Sequence, residues 1–282
     1  MAWAVYDVVY ELRSPLHVGY AKIGNLQRTR YYLPARNLWG AVTEALTRRG
    51  FLTDSESPGD YPRVGEWVKA HCAFGYWFVH HESQVLSPCY KEKGLYFGSF
   101  SAAEFERCYL ASHVTTAVNP DSNSAEEGSL HEVEYIAPYA RDAQPTRIGG
   151  QVFLDETAQS VLGDEEKWRS WLGDLHVGGE RRYGFGELRL NAFSLSSSKN
   201  WVLSTARPRI YMGQSMPLPA HVNVQGVKAK GQIEPWLGRE TAESTRFGMR
   251  LTPAVLCWVP GSILEEDGEF EIHPSGIWQK VD

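Results

Sequence analysis

Cysteine is scarce in this chain: Cys72, Cys89, Cys108 and Cys257 are its four, and no two form a CxxC pair. That excludes a disulfide framework and fits reduced thiols in a cytoplasm. Long apolar runs are missing too, with none approaching the roughly 20 residues of a membrane span. The N-terminal stretch MAWAVYDVVYELRSPLHVG carries no leading positive charge and contains Asp7 and Glu11. It reads as a strand and not as a signal peptide. An excess of positive charge is also absent. The net charge of −6 argues against wholesale coating of nucleic acid, so any such role must sit on one face. No GxSxG elbow or paired nucleophile motif appears. His71, Cys72, His80, His81 and Cys89 cluster in sequence. Their spacing matches no compact zinc pattern, and Phe74, Tyr76, Trp77 and Phe78 among them read as a core strand. Neither a metal nor a cofactor is expected.

What is present is a globular composition, 43% hydrophobic and 12% aromatic, at a length that allows one large domain or two modest ones. Charge is unevenly spread. From Lys22 to Arg49 there are six basic residues (Lys22, Arg28, Arg30, Arg36, Arg48, Arg49) and one acid, Glu44. The tail LEEDGEFEIHP and the stretch DSNSAEEGSLHEVE are acidic. This is the pattern of a subunit that grips RNA on one side and protein elsewhere, or of ordinary surface heterogeneity.

Residues 3–12 alternate Ala4, Tyr6, Val8, Tyr10 and Leu12, a strand. A loop with Gly19 and Gly24 follows, then a short strand around Arg30–Leu33 closed by Pro34. Asn37 is placed to cap a helix in which Leu38, Val42, Ala45 and Leu46 share one face, ending at Gly50. Residues 53–63 read as a polar linker and 107–116 as a strand. AVNPDSNSAEEGS reads as an aperiodic, mobile, protruding loop. Gly149–Leu154 is extended, and a helix capped at Asp164 turns Trp168, Trp171 and Leu172 inward. Strand–helix–strands–helix–strand is the ferredoxin-like (RRM-like) order, an α+β fold expected over residues 1–195. Residues 196–282 read as an irregular, mostly β second lobe.

The stretch GGERRYGFGEL combines backbone freedom, charge and flat rings. Gly178, Gly179, Gly184 and Gly186 permit close backbone approach, and Arg181 and Arg182 suit phosphate. Tyr183 and Phe185 offer stacking faces. Together they fit RNA or single-stranded DNA; a plain glycine-rich hairpin with a charged tip is the bland alternative.

Three of these segments in order resemble the CRISPR-associated RAMP superfamily. SPLHVG followed by TRYYLPARNLWGAVTEAL is similar to its N-terminal signature, a strand, a small-residue turn and a step into the first helix. GGERRYGFG resembles its glycine-rich loop, which contacts the guide (crRNA) backbone. HVTTAVNPDSNSAEEGSLHEVEYI is similar to a mid-chain segment of type III-D-like members. The resemblance covers most of residues 3–190. It implies a ferredoxin-like RAMP domain that binds crRNA through His17, Gly19, Lys22, Arg28, Arg30, Arg36 and His113 together with residues 178–186 of the loop. It also implies partners: the crRNA 5′ handle, backbone RAMP proteins, a large subunit or effector nuclease, and target RNA indirectly.

Two departures matter. The usual Pro-Gly-Ser before the helix is Pro34-Ala35-Arg36 here. The loop from Val18 to Tyr31 also lacks the aspartate of target-cutting backbone members; Asn25 is the nearest polar candidate, and an amide cannot act as a general base. The expectation is a non-catalytic subunit capping the crRNA 5′ handle. A backbone subunit lining the guide is one alternative. The other is a metal-independent processing endoribonuclease using His17, His113 or His131 with Tyr183.

Overall fold

The computed structural model describes residues 2–52, 60–204, 206–240, 248 and 250–281. Its centre is the N-terminal strand Ala4–Leu12, in which Tyr6, Val8, Tyr10 and Leu12 are buried as their alternation predicts. Arg147–Leu154 pairs with it antiparallel on one side and Glu187–Leu195 on the other. Cys72–Phe74 and Trp77–His81 join the outer edge of Arg147–Leu154, and Asp174–His176 joins that of Glu187–Leu195. Taken in chain order, four strand positions lie in the spatial order fourth, first, third, second, all antiparallel. The first helix, Ala35–Arg48, and a pair of short helices, Glu156–Leu162 and Glu165–Leu172, are the crossovers. Helices and sheet meet in an aromatic core. Tyr10 stacks on Trp77 at 5.3 Å, accepts from Trp168 Nε1 at 2.9 Å and donates to the Leu172 carbonyl at 2.5 Å. The hydroxyl is satisfied in both directions, which is what a buried tyrosine needs.

Between Trp77–His81 and Arg147–Leu154 the chain makes an excursion that carries a second sheet. Leu110–Thr115 and His131–Ile136 form a long hairpin. Its second strand runs parallel to Leu26–Thr29, which pairs with Gly19–Ile23. The expected loop after the N-terminal strand is therefore a β-hairpin. Its two-residue turn, Gly24-Asn25 with Gly24 at φ 59°, is a hairpin signal present in the sequence.

Other expectations are corrected by local physics. Asn37 does not cap the first helix, which starts at Ala35 behind Pro34; proline fixes the entry without a side-chain cap. Leu38, Val42, Ala45 and Leu46 are buried together as expected. Residues 53–59 of the anticipated linker lie outside the described residues. Its end instead opens a helix, Tyr61–His71, whose Asp60 cap accepts from the Arg63 amide. Arg107–Tyr109 finish the helix Ala102–Tyr109, started by a Ser101–Glu104 capping box, so the strand begins only at Leu110. The run 117–129 is not structureless: Val118–Asn119 pairs with Ser124–Ala125 at the exposed tip of the long hairpin.

The C-terminal residues are more regular than their composition suggested. Seven strands of two to five residues form one sheet, from Trp201–Val202 at one edge to Ile233–Trp236 at the other. Short strands broken by Pro and Gly leave little periodicity to read. Met212, Val222, Phe270, Ile272 and Trp278 join the same continuous core as the N-terminal strand. No helix among the described residues is long and apolar enough to cross a membrane.

Candidate nucleic-acid interface

The glycine-rich stretch is the connection between Asp174–His176 and Glu187–Leu195. Residues 181–183 form one 3-10 turn, flanked by left-handed backbone at Glu180 (φ 56°) and Gly184 (φ 82°). Its base is where glycine is indispensable. A Cβ on Gly178 (φ 86°) would lie 2.2 Å from the His17 carbonyl oxygen, and one on Gly186 (φ 85°) 2.0 Å from that of Val177. Those approaches let the loop bind the turn after the N-terminal strand: Gly179 N–H donates to His17 O at 2.8 Å and Gly186 N–H to Pro15 O at 2.7 Å. Two motifs some 160 residues apart in sequence, SPLHVG and GGERRYGFG, are thus one structural unit.

His17 is the keystone of this junction and is only 4% exposed. Its Nδ1 lies 2.6 Å from the Glu134 carbonyl, an acceptor only, so Nδ1 carries the proton. Gly19 and Gly179 stand against the ring. Arg182 and Tyr183 are exposed, Tyr183 to 69%. Phe185 is half-buried, edge-on to Tyr135 of the long hairpin at 5.4 Å. Arg181 reaches Glu44 at 3.5 Å.

The basic stretch of the sequence is largely paired. Arg28 donates to Glu134 at 2.9 Å, Arg30 lies 2.7 Å from Glu234, and Arg36 reaches the Arg239 carbonyl at 3.1 Å and Glu240 at 3.4 Å. Arg28 and Arg30 brace the excursion sheet and the C-terminal lobe, roles that no residue pattern announced. Lys22 and His113 are exposed on the excursion sheet. His131 Nδ1 lies 2.9 Å from the Ser129 carbonyl. Of the histidines and cysteines clustered between residues 71 and 89, His71 bonds Asp155 and His81 bonds Tyr109, each at 2.8 Å, so these two imidazoles face different partners.

Beside the loop opens a cleft of about 1500 Å³. Its walls are the first helix, the base of the Gly19 hairpin, the glycine-rich loop and the C-terminal segment Pro235–Arg239. Arg30, Arg36, Arg48, Arg181 and Arg239 line it with Tyr20, Trp39, Tyr61 and Trp236; Glu44 is the one carboxylate among the described lining residues. Arg30 sits over Tyr20 at 5.0 Å and Trp236 at 5.2 Å, so this cation stiffens the wall between rings. Behind it is a buried chain that sequence reasoning missed. Tyr76 donates to His221 Nδ1 at 2.7 Å, His221 Nε2 meets Glu234 at 2.5 Å, and Trp236 stacks on the imidazole at 4.2 Å. Burial chiefly, with Arg30 beside it, lowers His221 to about 4, so the ring is neutral and its Nε2–H donates to Glu234. His221 and Glu234 lie thirteen residues apart in the segment read as irregular, and no motif links them.

No family model matches the sequence, and no curated protein matches it. Solved structures do share the fold. A chain in the cryo-EM structure of the type III-B Cmr-beta complex bound to cognate target RNA and AMPPnP superposes with a TM-score of 0.57, at 11% identity, over 92% of this chain and 85% of that one. A chain in the Cmr-beta structure with cognate target RNA alone gives a TM-score of 0.55 and 12% identity, over 92% and 86%. The chain is therefore a mixed α+β protein with the fold of a subunit from that assembly.

Proposed function

We infer that this chain is a non-catalytic RNA-binding subunit of a type III-like CRISPR effector complex, one that holds the 5′ handle of the crRNA. The observation that carries the reading is the union of the glycine-rich loop with the His17 turn at the edge of an arginine- and aromatic-lined cleft. Guanidinium groups and ring faces converge there, the combination that tracks a single strand. The spatial strand order is the one a ferredoxin-like RAMP domain requires, with residues 196–282 as an appended lobe. Backbone RAMP proteins, a large subunit or effector nuclease and, indirectly, target RNA are the partners this reading implies.

Arg181, Arg182, Tyr183 and Lys22 are the contacts proposed for the strand, with His113 on the excursion sheet. Gly178, Gly179, Gly184 and Gly186 shape the loop, Gly19 and His17 fix its base, and Phe185 anchors it to Tyr135. Arg28, Arg30 and Arg36 support the cleft through their ion pairs. Absence of cleavage is part of the proposal: the Val18–Tyr31 segment holds no carboxylate, and His17 is packed with its Nδ1–H committed to a carbonyl. The test is Arg181→Ala with Arg182→Ala. Guide RNA affinity should fall and the salt slope should drop by about one to two. Unchanged affinity and slope in the folded double variant would reduce the loop to a hairpin.

A further inference from the structure

One feature of the cleft is out of character with phosphate binding: a carboxylate, Glu44, stands among its arginines. Oε1 is held by Arg181 at 3.5 Å and Arg48 at 3.8 Å, while Oε2 is buried and has no hydrogen-bond partner. A buried carboxylate oxygen without a donor is unfavourable, and native proteins rarely leave one. Two more unpartnered buried polar atoms, His176 Nδ1 and Trp236 Nε1, belong to residues of the same cleft, though the atoms themselves are closed to solvent. His176 ends the strand that packs on the helix bearing Glu44. Of the three, the Glu44 carboxylate sits on a side chain that is partly open, so a ligand with its own donor could satisfy it.

The ligand's chemistry follows from Glu44. Phosphate offers only acceptors and would be repelled by Glu44, so the group facing it must donate. The side chain keeps 27% of its surface open, and rotation about the broad terminal torsion brings Oε2 to the cleft. A nucleobase with an exocyclic amine supplies such a donor, and a carboxylate accepting from cytosine N4 is a standard pairing. Resting on the RNA-binding reading above, we propose that Glu44 is a specificity-determining residue: it reads the amino-bearing edge of one RNA base in the cleft and rejects uracil. Arg181 and Arg48 hold the carboxylate oriented for that contact.

The experiment measures fluorescence anisotropy of labelled oligocytidylate and oligouridylate RNA against the purified full chain, Glu44→Gln and Glu44→Asp. Wild type should bind oligocytidylate about tenfold or more tightly than oligouridylate. Both variants should lose that preference. Glu44→Asp keeps the charge and shortens the reach, so its salt slope should stay as in wild type. A wild type without preference, or variants that shift affinity for both RNAs equally and keep the ratio between them, would overturn the assignment while leaving RNA binding intact. Binding of neither RNA by wild type would instead sink the RNA-binding reading itself. Cytidine monophosphate competing as strongly as oligocytidylate would overturn the RNA base as ligand in favour of a free nucleotide.

Discussion

His221 lies fully buried between Tyr76 and Glu234, and that burial sets a pH dependence. Its imidazole titrates at about 4 in the fold against 6.5 when free, desolvation being the main cause. Between those values the unfolded chain binds the extra proton. Stability is therefore complete above the unfolded value and is lost as pH falls toward the folded one, by roughly 3 kcal/mol for this group. Glu234 adds in the same direction: burial pushes its carboxyl up, but the His221 hydrogen bond and Arg30 outweigh it and hold it below the usual range. Urea midpoints measured between about pH 7 and about pH 4.5 should fall more steeply in wild type than in His221→Gln, which has no imidazole to protonate. Parallel profiles would show that the buried ring does not govern acid sensitivity.

Among elements, the long hairpin ending at residues 117–129 has an exposed tip. Its tip strands are two residues each, and Val114, Val118 and Leu130 are open to solvent at 57%, 62% and 52%. Such a ladder has little burial to stabilise it, so local opening is cheap. Bound guide RNA or a neighbouring subunit should order it, and hydrogen exchange of 117–129 should slow on adding guide RNA. Equal protection with and without RNA would count against a contact there. This hairpin also marks the limit of what the sequence makes legible. The N-terminal strand and first helix declare themselves because each has one buried face with a clean period of two or of 3.6. The tip has no buried face, so no period, and its pairing comes from continuing the strands below it. Glycines 178–186 were readable as a loop, yet nothing in their composition reveals that the loop closes on His17. Arg28, Arg30 and Arg36 mislead in the opposite sense: local charge counting cannot see acids more than a hundred residues away, at Glu134, Glu234 and Glu240.

For the whole molecule, a net charge of −6 is compatible with the proposed nucleic-acid cleft because five arginines gather there, where two parts of one core meet. The C-terminal segment supplies one wall of that cleft and the first helix another, and Arg36 ties them together through the Arg239 carbonyl. On the proposed function, this surface holds the 5′ handle of a guide RNA and leaves it intact. The most direct measurement is equilibrium binding of 5′-labelled guide RNA with and without its handle to the purified chain, with the recovered RNA sized afterward. Tighter, salt-sensitive binding is expected when the handle is present, with full-length RNA at the end. Equal affinity for the two RNAs, or shortened product, would contradict it.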